Sequence, residues 1–321
     1  GRKKLGGVAE INYSWIPAKN SRTITLGVLS KTFGNGLDVM NGGSDPATYY
    51  TLQPYLNFEL GKPNAKKYYK QRLQLQGHYI IEKGDVIENS LTGASLNYGF
   101  KYSKRIHKIN AGLSLDYYDV VNNNLIGIVG PLSSDLMNLG IEFEYAVQYW
   151  DKKNKTFTVR AFLGQNLFYN GAISNRYGFA LGGQTGTQDV TYDHYMLGRN
   201  QTSGLWANQR LENHGGFKTT SQFGVTNGSM FTTNFYTDLP FIPLIGAYAD
   251  FGMFDNAGTM EMVSDAGLGI RIADRFGVYF PLYESSNLKA SFPDGTRYGE
   301  KIRFTLNLSG MSLSKLIPRF L

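Results

Sequence analysis

Apolar and polar side chains alternate along most of this chain, in runs of about 10 to 13 residues separated by turn-forming residues. In one such run Ile141, Phe143 and Tyr145 alternate with Glu142 and Glu144. Because successive side chains of a β-strand point to opposite faces, each run predicts a strand with one apolar and one polar face. Helical periodicity is almost absent. Strands of soluble proteins usually have about 5 or 6 residues, whereas a membrane-crossing strand needs about 9 to 11, so the long runs favour membrane-spanning strands.

The apolar faces of these runs end in Tyr and Trp, and the polar faces carry charged, amide and glycine residues. Aromatic girdles at the membrane interfaces and a polar interior are features of outer-membrane barrels. The sequence therefore predicts an all-β fold, a transmembrane antiparallel β-barrel of about 14–16 strands over residues 1–308, in the outer membrane of a Gram-negative bacterium. A large soluble β-protein is the alternative interpretation of the same alternation.

Composition excludes several other classes of protein. The chain has no cysteine, which excludes a disulfide scaffold and a cysteine-ligated metal. No apolar stretch approaches the roughly 20 residues of a membrane-spanning helix, and the longest, at residues 239–248, is interrupted by Pro240 and Pro243. The net charge of +7 comes from scattered Lys and Arg residues, so we expect lipid phosphates rather than nucleic acid to meet the basic surface.

The connections between the predicted strands alternate in length. The short ones are residues 17–21, 61–67, 104–108 and 151–155, and the long ones are residues 34–47, 83–92, 121–135 and 284–299. Barrels of this class have short periplasmic turns and long extracellular loops, which predicts the orientation. The strand count comes out odd, although single-chain bacterial barrels normally have an even number, so we expect a further strand or domain upstream of Gly1. Residues 309–321 leave the strand pattern and predict a short amphipathic extension at the inner membrane interface.

The polar faces of the predicted strands direct titratable side chains into the barrel interior. These are Glu10, Glu59, Arg72, His78, Lys101, Asp116, Glu142, Glu144, Arg160, Arg271 and Arg303. Groups of both signs that pair across strands and fill the interior explain them more simply than acid–base catalysis does. The chain has no H-E-x-x-H zinc motif, no G-x-S-x-G elbow and no P-loop, so we expect no catalytic, cofactor-binding or metal-binding residue in it.

Residues 185–204 do not follow the strand pattern. Tyr192, Asp193, Tyr195 and Arg199 mark this stretch as a candidate plug or constriction folded into the barrel, with Arg199 paired to Glu142 or Glu144. Four aromatic residues on the inward side of the alternation need a surface to pack on, and a folded-in segment supplies one: Tyr55, Tyr118, Phe162 and Tyr279. The alternative is a wide turn that carries part of an aromatic girdle.

Several short motifs resemble one particular type of barrel. They are Y-D-H-Y-M-L-G-R at 192–199, G-G-F-K at 215–218, D-L-P at 238–240 before A-D-F-G at 249–252, and K-I-R-F-T-L-N at 301–307. They are similar to the C-terminal outer-membrane barrels that follow a gluzincin, aminopeptidase N-like metallopeptidase domain in some Gram-negative proteins. The resemblance implies that this chain anchors a larger protein whose zinc ligands lie upstream of Gly1.

Three functions follow from these observations. The first is a barrel that acts as membrane anchor and scaffold for a larger protein or complex, without a catalytic site of its own. Its expected partners are outer-membrane lipid, lipopolysaccharide and other outer-membrane or periplasmic proteins. The second is a solute pore or transporter. The third is a hydrolase with a Ser–His pair on the barrel wall, for which His78 is the candidate base.

Overall fold

A computed structural model describes most of the chain: residues 7–16, 22–35, 47–64, 67–85, 88–122, 132–150, 155–170, 175–194, 196–199, 201, 204–219, 223–272 and 276–306. This part contains fifteen strands: β1 (Gly7–Trp15), β2 (Arg22–Asn35), β3 (Ala47–Asn64), β4 (Lys67–Lys83), β5 (Glu88–Lys104), β6 (His107–Asn122), β7 (Leu132–Trp150), β8 (Lys155–Asn170), β9 (Phe179–Ala180), β10 (Val225–Thr226), β11 (Ser229–Asp238), β12 (Ile245–Asn256), β13 (Thr259–Ile272), β14 (Phe276–Glu284) and β15 (Arg303–Leu306). Two short helices are α1 (Ser286–Ala290) and α2 (Tyr298–Lys301), and single 3₁₀ turns lie at Asn175–Tyr177 and Leu205–Asn208. No helix in these ranges is long and apolar enough to cross a bilayer.

Thirteen of the strands form one sheet, which we call the wall. Neighbours in the wall are neighbours in sequence, from β1 to β8 and from β11 to β15, and every pair is antiparallel. The strands β9 and β10 form a separate two-stranded ribbon between β8 and β11. The predicted fold class, an antiparallel transmembrane β-barrel, is confirmed. Residues 185–204, which do not follow the strand pattern, contribute no strand to the wall in the part that the structure describes.

The two faces of the wall differ as the alternation predicts. One face presents large exposed apolar side chains, among them Leu75, Leu113, Phe143, Leu163 and Phe251. Soluble proteins seldom expose contiguous apolar surface on this scale, whereas a lipid-facing surface must be apolar. The other face, which we call the inner face, holds buried polar groups such as Gln53, Gln76 and Asp250.

The ends of the wall are distinguished by their connections. At the turn end, β5 and β6 are joined through Arg105 and Ile106. At the opposite, loop end, the long connection predicted over residues 284–299 contains α1 and the first residues of α2, which ends at Lys301. One connection there is short, because Ala257 (φ 51°) and Gly258 (φ 87°) both take the left-handed conformations of a two-residue hairpin turn. The tips of the connections 17–21, 34–47, 121–135 and 151–155, and the predicted extension 309–321, lie outside the described residues.

Replacing Phe143 by Arg is expected to lower the free energy of unfolding by about 2–4 kcal/mol, because the charge enters the lipid near the middle of β7. The matched change Glu144→Gln is expected to lower the free energy of unfolding much less, because Glu144 lies on the inner face. Its carboxylate accepts a hydrogen bond of 2.7 Å from Asn110 Nδ2, and the amide oxygen of a glutamine can accept the same hydrogen bond. Equilibrium unfolding by urea in lipid vesicles measures both changes. Equal losses for the two variants would contradict the assignment of the faces.

Candidate functional site

The chain between β8 and β11 folds back onto the inner face of the wall. We call its described residues, 175–194, 196–199, 201, 204–219 and 223–228, the inner segment. Its path depends on glycine at points of close approach. Gly183 (φ 77°) lies so near Leu211 that a Cβ atom would sit 2.0 Å from the Leu211 carbonyl oxygen. Gly216 (φ 65°) passes Arg160 of β8, where a Cβ atom would lie 2.7 Å from Nη1. Only a residue without a side chain fits these two positions.

Two apolar clusters hold the inner segment against the wall. In the first, Tyr177, Val190 and Tyr192 of the segment pack on Tyr49, Ile80, Leu91, Tyr118, Val120 and Leu136 of β3 to β7. The rings of Tyr49 and Tyr192 stack with their centroids 3.6 Å apart. In the second, Phe179, Leu181 and Phe217 of the segment pack on Phe162, Met230, Phe254 and Val263 of the wall and on Leu288 of α1. The buried aromatic rings of the wall thus pack on the segment and are not exposed to water, which would be unfavourable.

A buried ionic group ties the start of the segment to β4. Glu82 of β4 is 4% exposed, and Arg176 of the segment donates to both of its carboxylate oxygens, with Nη1 2.7 Å from Oε2. The hydroxyl of Tyr192 donates to the same carboxylate. A buried carboxylate that accepts a two-pronged guanidinium and a hydroxyl has its desolvation offset by charge-assisted hydrogen bonds.

A second ionic group ties a later part of the segment to β13 and β14. In the first group the wall supplies the carboxylate, and in the second the segment supplies it. Here the segment supplies the carboxylate, Glu212, and the wall supplies Arg271 and Tyr279. Glu212 Oε1 lies 3.0 Å from Arg271 Nη2 and 2.5 Å from the Tyr279 hydroxyl. A carboxylate that pairs with an arginine and a tyrosine therefore holds the segment at two places on the inner face, at β4 and at β13 and β14.

Between these groups the segment makes further polar contacts with β8, β11 and β12. The backbone N–H of Lys218 donates to Asp250 Oδ2 over 3.0 Å, and Asn234 Nδ2 donates to the Gly215 carbonyl over 3.0 Å. Arg160 donates through Nη1 to the carbonyl of His214, at 2.8 Å, and through Nη2 to Glu142, at 2.6 Å. Burial, together with the nearby Arg160, lowers the pKa of His214 to about 3, so His214 is a neutral acceptor for the backbone N–H of Ala180. Backbone and side chains of the segment are thus both fixed to the wall.

Arg199 pairs within the segment, so its predicted pairing with Glu142 or Glu144 is wrong. Its Nη2 atom lies 2.6 Å from Asp189 Oδ2, and the pair is almost fully buried. A turn of the segment brings Asp189 close to Arg199. Glu142 of β7 already pairs with Arg160 of the neighbouring strand β8. His194 lies on the same carboxylate, with Nδ1 3.2 Å from Asp189 Oδ1. Burial alone would raise the pKa of Asp189, but the charges of Arg199 and His194 hold that pKa well below its usual range.

The docking of the inner segment is expected to depend on pH through this group. The pKa of Asp189 is lowered, so its contribution is present above its ordinary pKa of about 3.9 and is lost as the pH falls through the lowered value. Asp189 raises the pKa of His194 against the opposing effect of burial, so that contribution is present below about pH 6.5 and is lost as the pH rises through the raised value. Resistance of residues 185–204 to limited proteolysis, normalised to the unfolded chain, should peak between about pH 4 and 6.5. A flat profile, identical to that of Asp189→Asn, would contradict this.

Two residues of the candidate plug, Tyr192 and Asp193, contact the wall directly. The Asp193 carboxylate lies 3.2 Å from Lys31 Nζ of β2, which also donates to the Tyr192 carbonyl over 2.6 Å. Gln53 Nε2 of β3 donates to Asp193 over 3.2 Å and to the Thr191 carbonyl over 2.7 Å. The fourth candidate residue, Tyr195, lies outside the described residues.

His78 forms a buried pair with Ser95. His78 Nε2 lies 2.8 Å from Ser95 Oγ, and His78 Nδ1 lies 3.3 Å from Gln53 Nε2. Ser95 in turn hydrogen-bonds Asp116. His78 is 5% exposed and Ser95 4%, so a substrate has no access to the Ser95 hydroxyl in this arrangement.

The remaining predicted interior residues lie on the inner face, and all of them except Arg303 are outside the contacts of the segment. Glu59 and Arg72 face each other across β3 and β4, 4.0 Å apart, and Lys70 Nζ lies 2.9 Å from Glu59. Lys101 is exposed. Glu10 of β1 accepts a hydrogen bond from Tyr55, and Glu144 accepts one from Asn110. Arg303 of β15 is fully buried and donates to the Gly182 carbonyl of the segment over 2.6 Å.

Several residues that hold the segment have no marker in the sequence pattern of the segment itself. Arg176, Asp189, Glu212 and Lys218 lie where no periodicity exists to assign a face. The wall partners of Arg176, Glu212 and Lys218 are Glu82, Arg271 and Asp250. These three do fall on the polar side of an alternating strand, and that is the only signal that points to them. Across the described ranges, no group of three or more His, Asp or Glu side chains is arranged to hold a metal ion.

Comparison with known proteins gives structural likeness only. No protein-family model and no curated protein matches the chain. A mutant of the ferric enterobactin receptor PfeA from Pseudomonas aeruginosa is similar over 94% of this chain and 46% of its own, with 10% identity and a TM-score of 0.46. CdiB from Acinetobacter baumannii is similar over 93% of this chain and 49% of its own, with 12% identity and a TM-score of 0.37. The chain spans about half the length of these two proteins.

The class of the chain rests on its own wall. Strands β3 to β8 have 16 to 19 residues, long enough to cross a bilayer and extend beyond it. The wall is antiparallel throughout, apolar on its outer face and polar on its inner face. An antiparallel wall with these two faces is the architecture of bacterial outer-membrane barrels. The chain is therefore an outer-membrane β-barrel protein.

Proposed function

We propose that this barrel acts as a membrane anchor and scaffold whose interior is obstructed by the inner segment. The observation that carries the proposal is the double attachment of the segment: Glu82 of β4 binds Arg176, and Arg271 of β13 binds Glu212. A segment fixed both to β4 and to β13, and stacked on Tyr49 of β3, does not suit a freely open pore. A barrel with a filled interior serves best to hold something else in the membrane.

The resemblance to barrels that follow gluzincin metallopeptidase domains gives the scaffold a candidate cargo. We propose that a metallopeptidase domain upstream of Gly1 is the part that the barrel anchors. The full-length gene product tests this directly: a gluzincin domain before Gly1 supports the proposal, and a different domain contradicts it.

A gated transporter is the second candidate, and one observation favours it. The inner face of β3 to β5 near the turn end is polar and accessible, with Arg72 46% exposed and Lys101 exposed. Polar groups of both signs on an open inner surface suit a vestibule through which a hydrated solute passes. This function requires the inner segment to move. A barrel-wall hydrolase has less support, because the His78–Ser95 pair is buried.

Conductance separates the two candidates. The purified chain in a planar lipid bilayer is expected to show little steady conductance, because the inner segment fills the interior between β4 and β13. A large steady conductance in the unmodified protein would contradict the obstructed interior and favour the pore. Conductance that appears only when a solute is added would favour the gated transporter.

A further inference from the structure

The connection between β11 and β12 differs from the other connections at the turn end of the wall. Its sequence over residues 239–244 is L-P-F-I-P-L, and we call it the apolar turn. The other connections at that end are rich in Lys, Asn, Asp and Arg: residues 17–21, 61–67, 104–108, 151–154 and 273–275. The function proposed above makes no use of this difference.

The backbone of the apolar turn is firmly held. Leu239 N–H donates to the Ile245 carbonyl over 2.9 Å, and the Leu244 carbonyl accepts from the Arg271 N–H over 3.1 Å. Lys155 Nζ of β8 donates to the Ile242 carbonyl over 2.7 Å. Leu244 has φ 63°, a left-handed conformation that a branched apolar residue adopts only at a cost and that glycine would adopt freely. Leu244 therefore places a leucine side chain at a position that glycine would occupy at lower cost.

The apolar side chains of this turn nevertheless lack cover from the chain itself. Phe241 is 80% exposed, Leu244 56% and Ile242 45%. The ring centroids of Phe241 and Trp150 lie 5.9 Å apart, with the two rings nearly perpendicular. The half-exposed Tyr149 donates a hydrogen bond to the Asp238 carbonyl just before the turn. Aromatic and aliphatic groups are thus gathered at one point on the rim of the wall.

We propose that the apolar turn inserts into the boundary between headgroups and acyl chains of the lipid leaflet at the turn end. This rests on the proposed outer-membrane barrel. Two observations favour lipid over a protein partner. The turn continues the lipid-facing surface of the wall, where Leu268 and Ile272 of β13 are exposed. Trp and Tyr prefer the membrane interface, and Trp150 and Tyr149 lie beside the turn. The turn would then fix the depth and tilt of this side of the barrel.

Single-cysteine labelling tests the insertion, and the natural chain has no cysteine to interfere. Phe241→Cys carries an environment-sensitive fluorophore in vesicles of phosphatidylethanolamine and phosphatidylglycerol. Arg105→Cys, in the tight turn at the same end, is the matched control, and Phe143→Cys reports on the wall. We expect a nitroxide near the lipid headgroup to quench most of the fluorescence at position 241 and little at position 105. Aqueous iodide should give the reverse order.

The outcomes separate this inference from the proposed barrel. If deep lipid nitroxides quench the probe at position 143 but position 241 is as open to iodide as position 105, the inserted turn is wrong and the barrel stands. If the probe at position 143 escapes lipid quenching, the barrel itself is wrong. Shielding of position 241 that appears only after periplasmic proteins are added would overturn the lipid proposal in favour of a protein partner.

Discussion

Deleting residues 188–200 is expected to turn a barrel of little conductance into one with a large steady conductance. The deletion removes Tyr192 from its stack on Tyr49, the Tyr192 hydroxyl from Glu82, and the buried Asp189–Arg199 pair. Without these contacts the inner segment loses its aromatic stack on β3 and keeps Arg176 as its ionic contact with β4. Wide barrels leave an aqueous channel when no segment fills them. Recordings of single insertions in planar bilayers measure the change.

A second, shorter deletion controls for damage to the fold. Residues 293–296 join α1 to α2 at the same end of the wall and are largely exposed, so their removal shortens a rim connection without touching the inner face. This control should conduct as little as the unmodified chain. If both deletions conduct equally, the conductance comes from a disturbed wall. If neither conducts, the obstruction does not depend on residues 188–200 and the candidate plug is misassigned.

Replacing Glu82 by Gln is expected to lower the free energy of unfolding by about 3–5 kcal/mol. Glu82 and Arg176 are only 5% and 11% exposed in their side chains, and removing one charge of a buried pair leaves the other without compensation in a medium of low polarity. The start of the inner segment should detach first, because Arg176 and Tyr192 both depend on this carboxylate. Equilibrium unfolding in vesicles gives the size of the loss, and proteolysis near residue 176 shows its place.

The double variant Glu82→Gln with Arg176→Met distinguishes lost charge pairing from general disruption. Removing both charges eliminates the unpaired ion, so the double variant should recover much of the stability lost by Glu82→Gln alone. The exposed pair Lys83–Glu88, 3.9 Å apart, is the control, and Glu88→Gln should change the stability by no more than about 1 kcal/mol. Strictly additive losses in the double variant would show that Glu82 and Arg176 do not act as a pair.

The wall was predictable from the sequence because its cause is local. A strand with lipid on one side and polar contacts on the other needs period-two alternation, and that pattern is visible in any run such as residues 139–147. Antiparallel neighbours joined by short connections pair in sequence order, so the order of β1 to β8 follows as well. The faces of Glu142, Glu144 and Arg160 follow from the same alternation.

The inner segment shows where sequence reasoning stops. Its turns at Gly183 and Gly216 and its 3₁₀ turns carry no repeat from which to assign a face. The aromatic stretch at 192–199 indicated an unusual element, yet the partner expected for Arg199 was wrong. Asp189, ten residues earlier in the chain, takes that place through a local turn, and no spacing rule distinguishes it from Glu142.

The sequence by itself determined the strands, their two faces and the membrane as their surroundings. The reason is that successive side chains of each strand alternate between the lipid and the polar interior, so the surroundings select the residue type at every position. Only the tertiary structure decided which groups fill the interior. Glu82 meets Arg176 across 94 positions of sequence, and Arg271 meets Glu212 across 59. A buried charge requires some partner of opposite sign, but chain folding in three dimensions selects which one arrives.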